Sequence, residues 1–301
     1  MYKFVTLNNT TAVFYQNLTY PTYCSHLKVL DSHESIMAVG VHFGSQPVGL
    51  VLAETSTEQN QKIATILSLF VVPEHRGNGL GKSLLTYMED KLIQLGCLQV
   101  NVVYVSNSST PYWEKILQKC NWSTPEVRML VCSCLIANFK DATWLKIANT
   151  LPSAYTIFPW VELTNQERES IQEQQATSPW YPEILSPWSD EEIIEPLNSL
   201  GLRYKDQVIG WMITHRVAED TIRYTKMFVR KDLQSLGRAI SLLAKAIKLQ
   251  LETMEDSKAV CTVFADNTEM IRFVDKRLAP HLNSMRQSWG ASKVFGLDKV
   301  V

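Results

Sequence analysis

The 301-residue chain lacks most of the features that announce a function at a glance. Charge of one sign is missing: 29 Lys and Arg stand against 30 Asp and Glu, a formal net charge of −1. No basic face is expected, and nucleic acid is set aside as a partner. No apolar run approaches the ~18 residues of a membrane-spanning helix. The opening MYKFVTLNNT carries no apolar stretch of the kind a secretory leader needs. The six cysteines (Cys24, Cys97, Cys120, Cys132, Cys134 and Cys261) are too scattered for a disulfide framework or a zinc site. Cys132 and Cys134 would share one strand face as small buried hydrophobes. The expectation is a cytoplasmic, reduced protein with no metal. A hydrophobic content of 46% is enough for a core, and the length suits two domains better than one.

Apolar patterning then supplies the elements. Residues 35–44 and 48–55 read as two strands of a hairpin around Gly44-Ser45-Gln46-Pro47, and 62–72 as a third strand. A glycine-rich segment follows. Leu80, Leu84, Met88, Leu92 and Leu95 recur at helical spacing, and Gly96 ends that helix. Residues 98–106 read as a strand, 110–120 as a helix opened by Thr110-Pro111, and 127–137 as the last strand of the first half. The order is α+β with a local βαβ crossover: a mixed, mostly antiparallel sheet flanked by helices.

The same order recurs. Residues 207–215 and 221–229 read as strands, 235–252 as a helix, 259–265 as a strand and 268–278 as a helix. Placing Phe70-Val71 over Phe228-Val229 superposes Gly79 on Gly237, Ser83 on Ser241 and Leu84-Leu85 on Leu242-Leu243. Asn107 and Trp113 fall near Asn267 and Phe273 after a two-residue adjustment. An internal duplication follows, with expected domains at 1–145 and 146–301.

The glycine segment, VVPEHRGNGLGKSLL at 71–85, sits between a strand and a helix, where glycines and free helix amides make an anion site. A nucleotide P-loop is excluded: Gly81-Lys82-Ser83 supplies its end, but its first glycine would fall at Arg76. A dinucleotide fingerprint is excluded too, because Gly77 and Gly79 would require glycine at Lys82. What remains is R-G-x-G-x-G preceded by Pro73-Glu74.

That segment, Val72-Pro73-Glu74-His75-Arg76-Gly77-Asn78-Gly79-Leu80-Gly81, resembles the acyl-CoA pyrophosphate loop of the GNAT acyltransferase superfamily. Asn107 followed by Tyr112-Trp113-Glu114-Lys115 is similar to that family's later N-x-x-x-x-[FL]-Y-E-K segment. The resemblance covers roughly residues 1–137 well and 155–301 faintly, so the whole looks like a tandem GNAT protein. It implies an acyl-CoA donor whose pyrophosphate meets Arg76, Gly77, Asn78, Gly79, Leu80, Gly81, Lys82 and Ser83. Its pantetheine arm would run beside Leu69, Phe70 and Val71, with Asn107 and Trp113 near. It also implies direct attack by an amine, with a small molecule or a peptide as acceptor.

The catalytic positions depart from the family. The strand Lys62–Ser68 carries no acid, which leaves Glu54 as the candidate base. The family's tyrosine acid is replaced by Trp113, so Tyr112, Tyr104 or an unaided thiolate must serve. In the second copy, Arg76, Gly77 and Gly81 correspond to Gln234, Ser235 and Ala239, so this copy is expected to shape the acceptor site without catalysing. The segment SPWYPEILSPWSDEEIIEP at 178–196 either lines a substrate site or plugs a domain interface. The functional expectation is N-acyl transfer, acetyl by base rate. One alternative is fatty-acyl transfer to a Lys- or ornithine-type side chain of a peptide natural-product precursor. The other is a non-catalytic acyl-CoA sensor.

Overall fold

The computed structural model describes residues 1–149, 151–234 and 237–296. The described residues form two compact units, one from residues 1–128 with 287–296 and one within 129–286.

The first unit contains β1 (Tyr2–Thr6), helix α1 (Asn9–Ala12), β2 (Ile36–Phe43), β3 (Gln46–Glu58) and β4 (Gln61–Val71). Helix α2 (Leu80–Gln94), β5 (Gln99–Val105) and helix α3 (Thr110–Lys119) follow. The second unit contains most of β6 (Glu126–Leu135), then β7 (Tyr155–Pro159), helix α4 (Asn165–Thr177), β8 (Leu200–Tyr204), β9 (Gln207–Ala218) and β10 (Thr221–Val229). Helix α5 (Arg238–Thr253), β11 (Lys258–Phe264) and helix α6 (Thr268–Phe273) complete it, and β12 (Ser284–Val294) returns to the first unit. The strands β1, β7, β8 and β12 and the helices α1 and α4 go beyond the elements expected from sequence; the others fall where the patterning places them, within a few residues.

Within the first unit the strand order is β1-β2-β3-β4-β5-β12, and within the second it is β7-β8-β9-β10-β11-β6. In each, one neighbouring pair is parallel: β4 with β5, and β10 with β11. Both parallel pairs have a crossover helix, α2 or α5, between their strands, as a parallel connection requires.

The units are not the sequential segments 1–145 and 146–301. Strand β6, expected to close the first half, pairs antiparallel with β11, from Leu135↔Lys258 to Met129↔Phe264. The first sheet is closed instead by β12, which pairs with β5 from Ser288↔Val105 to Val294↔Gln99. Each unit thus takes its sixth strand from outside its own repeat. Polar anchors hold these strands. Lys293 donates to the buried Glu89 (2.5 Å) and to the carbonyl of Cys120 (2.8 Å), while Trp122 Nε1 donates to the same carboxylate at 2.6 Å. In the second unit, Asn138 Nδ2 donates to Asn283 Oδ1 at 3.0 Å, and the Leu135 amide donates to the same oxygen at 2.7 Å.

Each sheet is covered on both faces. In the first unit, α2 and α3 bury Val39, Val51, Ile66, Leu84 and Met88 on one face, and the N-terminal segment buries Leu50, Leu52 and Leu27 on the other. In the second, α5 covers Ile209, Met212 and Ile222, and the opposite face is an aromatic layer of Phe158, Trp160, Tyr181, Trp211 and Phe228.

Candidate active site

The site of the first unit begins with a break in a ladder. Leu52 pairs with Ser68 and Ala53 with Ile66, so Leu67 is a bulge in β4. The parallel pairing of β4 with β5 covers only Ile63–Ile66 against Gln99–Val102. From Leu67 onward, β4 keeps β3 as a ladder neighbour and parts from β5. Leu69, Phe70 and Val71 lie in this stretch. Their side chains point into the two cores, Leu69 and Val71 towards α2, and Phe70 towards the N-terminal segment. Main-chain N–H and C=O groups are thereby presented along an open cleft edge.

The glycine loop follows. Pro73–His75 make one 3-10 turn. Arg76 folds back so that Nε donates to the Val71 carbonyl at 2.9 Å, with its guanidinium 5.6 Å from the centre of the Phe70 ring. Asn78 Nδ2 donates to the carbonyls of His75 and Arg76 at 3.2 and 3.4 Å. Gly77 and Gly79 have φ of +82° and +77°, and a Cβ on either would meet nothing within 4 Å. Glycine is needed there for the left-handed backbone, and the space above it is open. Behind the loop, His75 Nδ1 lies 3.0 Å from the Tyr2 hydroxyl, and its ring packs on Tyr2 and Phe43. His75 therefore shapes the loop.

Gly79 is the N-cap of α2 and supplies no side-chain cap. The first intrahelical bond runs from the Ser83 amide to the Gly79 carbonyl at 3.0 Å, which leaves the amides of Leu80, Gly81 and Lys82 as the helix's outward donors. Leu80 is buried beneath them, while Lys82 and Ser83 are exposed at the rim. Gly81 has a different reason to be glycine: a Cβ there would lie 2.8 Å from Ile116 Cδ1, so it lets α2 approach α3. The result is a positive helix end, two flanking cations and an open floor, which suits a pyrophosphate.

The catalytic candidates separate. Glu54 is exposed on β3 opposite Thr65, one residue pair before the cleft opens. Tyr112 is 75% exposed, so its ring turns away from the unit. Trp113 turns inward and meets Tyr104 edge-on, with centroids 6.4 Å apart. The Tyr104 hydroxyl donates to Glu114 Oε1 at 3.1 Å, and burial, aided by that carboxylate, pushes its pKa well above the ordinary phenol value. Asn107 caps a turn: its Oδ1 accepts from the Ser109 amide at 2.7 Å, and its amide donates to Thr110 Oγ1 at 2.9 Å. Sequence reasoning missed the bulge at Leu67 and the hydroxyl pair Thr19–Ser68 (2.8 Å), which ties the N-terminal segment to β4. Neither has a local signature.

The second unit repeats the frame. Thr225, aligned with Leu67, is the bulge of β10, between Tyr224↔Thr214 and Lys226↔Ile213. Gly237 is the N-cap of α5 with φ of +78°. Gln234 Nε2 donates to the Val229 carbonyl at 2.7 Å, as Arg76 does to Val71. Ser235 lies outside the described residues. The floor, however, is covered. A Cβ on Gly237 would lie 3.2 Å from Ile147 Cδ1, and Ser241 Oγ donates to the Ile147 carbonyl at 3.3 Å. Arg238, 8% exposed, packs its guanidinium 4.8 Å from the centre of the Tyr155 ring. The short 3-10 segment Thr143–Asn149 thus sits where an anion would enter. Trp180, Tyr181 and Trp188 pack in the aromatic layer of the second unit's own sheet. Of the acids after them, Glu191 and Glu192 open a single 3-10 turn behind Asp190, and Glu191 pairs with Arg168.

Residues 5–117 match the family model described as Acetyltransferase (GNAT) family. No curated protein matches the chain by sequence. A tandem GNAT protein from the clavulanic acid biosynthesis pathway superposes with a TM-score of 0.64 at 12% identity, covering 98% of this chain and 99% of that one. A GCN5-related N-acetyltransferase from Sphaerobacter thermophilus gives 0.62 at 15% identity over 97% and 95%. A glucosamine N-acetyltransferase region of a fungal multi-domain β-N-acetylglucosaminidase gives 0.65 at 14% over 97% of this chain and 38% of that one. Among the described residues, no His, Cys, Asp and Glu group could hold a metal ion, and no helix is long and apolar enough to cross a membrane.

Proposed function

We propose that the chain, with its tandem GNAT fold, is an acyl-CoA N-acyltransferase of GNAT type in which the first unit alone moves the acyl group, acetyl first among donors, to a primary amine. The observation that carries this reading is the contrast at Gly79 and Gly237: open space over the first, Ile147 over the second.

In this reading the amides of α2's first turn, with Arg76 and Lys82, hold the pyrophosphate. The free edge of β4 from Leu67 to Val71 runs beside the pantetheine amides. The amine lone pair attacks the thioester carbonyl carbon. A main-chain N–H of β4 meets the oxyanion in a partly dry cleft, where such a donor is worth most. An alkyl ammonium with a pKa of about 10.4 must first lose a proton; Glu54 takes it through water. The C–S bond then breaks, the nitrogen gives its second proton to solvent, and the thiolate leaves with a proton from solvent. Tyr112 faces away, and Tyr104 is a weakened acid already bonded to Glu114. Trp113 walls the cleft and donates nothing.

The test is release of free CoA thiol from acetyl-CoA over a panel of small amines and lysine-containing peptides. Release with some amine, abolished in Gly79→Asp, supports transfer. Tight acetyl-CoA binding without release for any amine would favour a sensing role.

A further inference from the structure

A second cavity lies away from this loop, entirely within the second unit. Its volume is about 640 Å3, in the range of small-molecule pockets, roughly 300–1,000 Å3. It occupies the fork where β10 and β11 part. Their parallel pairing ends at Tyr224↔Cys261, and beyond it Thr225–Met227 and Thr262–Phe264 form facing walls. The body is apolar, with Met212, Met227, Leu243, Ile247, Val263 and Val274 lining it.

One buried charged group stands in this lining. Lys226 is 6% exposed, and its Nζ donates to the Ser186 carbonyl at 2.6 Å. An ammonium has three donors, and a buried one is costly unless they are met. Burial lowers its pKa, opposed by Asp190 and Glu183. Those two acids line the cavity as well, but both are exposed, where solvent screens them. Lys226 therefore acts as the buried positive end of an apolar chamber.

The same fork in the first unit opens onto the glycine loop. Here the way to α5's N-terminus is taken by Ile147 and by Arg238 stacked on Tyr155. A ligand with a phosphate tail is refused, while the apolar part of the fork persists.

We propose that the cavity of the second unit binds an unesterified aliphatic monocarboxylate, its chain along the apolar walls and its carboxylate on Lys226. This site is separate from acyl-CoA binding and does not depend on the reading of the first unit. Fatty acids carry the required chemistry: one acceptor group, a flexible apolar body and no phosphate.

Calorimetry on the full chain with decanoate, dodecanoate and tetradecanoate, below their micellar concentrations, tests the proposal. One equivalent should bind, with affinity rising and then falling along the series. Lys226→Met should weaken dodecanoate binding roughly 10- to 100-fold, the range for a hydrogen bond to a charged group, and Lys226→Arg should retain most of it. Val263→Trp, which fills the chamber, should abolish binding. Each variant is accepted only if it keeps the parent's circular dichroism and acetyl-CoA affinity; if Lys226→Met fails this, Val263→Trp decides. No dodecanoate binding up to millimolar concentration would overturn the proposal. So would equal binding by Lys226→Met, stronger binding of dodecylamine, or displacement of dodecanoate by CoA, which would place the ligand in the first unit.

Discussion

The two glycine loops use one frame for opposite ends. Both follow a bulged strand, at Leu67 and Thr225, and both enter a helix through a left-handed glycine, Gly79 and Gly237. Both tie a side chain at the same aligned position, Arg76 or Gln234, to the carbonyl that ends the strand. They differ in what lies over the helix end. Gly79 has nothing within 4 Å of its Cβ position, whereas Ile147 closes on Gly237. A left-handed glycine can thus open a helix whether or not space for an anion lies above it, because the same turn serves as an ordinary helix entry. Backbone geometry alone does not identify an anion site; open space above the amides does.

The sharpest way to break this symmetry is through the exchanged strands. A chain ending at Arg286 loses β12 from the first sheet but keeps all six strands of the second. Its first unit should fail to fold, read as loss of acetyl-CoA binding, with the edge of β5 unpaired and the buried Glu89 carboxylate left without Lys293. The second unit should keep a cooperative melt. Retained acetyl-CoA binding would show that β12 is dispensable.

Acid should act on the second unit through Glu167. This residue closes the capping box of α4 with Thr164 and pairs with Arg203 at 2.6 Å. The Arg203 hydrogen bond, with those from Thr164, lowers its pKa from an ordinary 4.5 to about 2. A depressed carboxylate contributes stability above its unfolded pKa and loses it as pH falls towards the folded value. The second unit should therefore lose stability between pH 4.5 and 2, on the order of 2 kcal/mol given partial burial. Denaturant melts of the parent and Glu167→Gln measure this, and the variant should show a flatter pH profile across the window.

A smaller effect separates two neighbours in the first unit. Trp113→Ala removes an inward ring beside Tyr104 and should weaken acetyl-CoA binding by about 1–2 kcal/mol through lost apolar contact. Tyr112→Phe changes an exposed hydroxyl and should leave both affinity and kcat near the parent's. A large fall in kcat for Tyr112→Phe at unchanged affinity would return Tyr112 to the role of proton donor.

The sequence carried the local part of this architecture and not the pairing. The glycine loop was legible because Gly77 and Gly79 are glycines for a backbone reason that no other residue meets. The order of strands and helices in both repeats followed from apolar spacing, and so did the duplication. The destination of β6 did not. Its alternating burial suits either sheet, and its choice of β11 rests on contacts more than a hundred residues away, such as Leu135 with Asn283. The domain boundary expected between 145 and 146 falls inside the segment 143–149, yet Ile147 of that segment packs over Gly237; nothing in its composition marks it as a plug. Lys226 was hidden for a similar reason. In the strand sequence it is one polar residue beside Thr221, Arg223 and Thr225, and only the fold makes it a buried charge facing a cavity.

The central claim, one open loop and one closed, is tested most directly by the stoichiometry of acetyl-CoA binding to the full chain, measured by calorimetry on the parent, Gly79→Asp and Ile147→Ala. The account predicts one equivalent for the parent, none for Gly79→Asp, whose carboxylate would face the pyrophosphate, and still one for Ile147→Ala. Two equivalents for the parent, or one retained by Gly79→Asp, would contradict it.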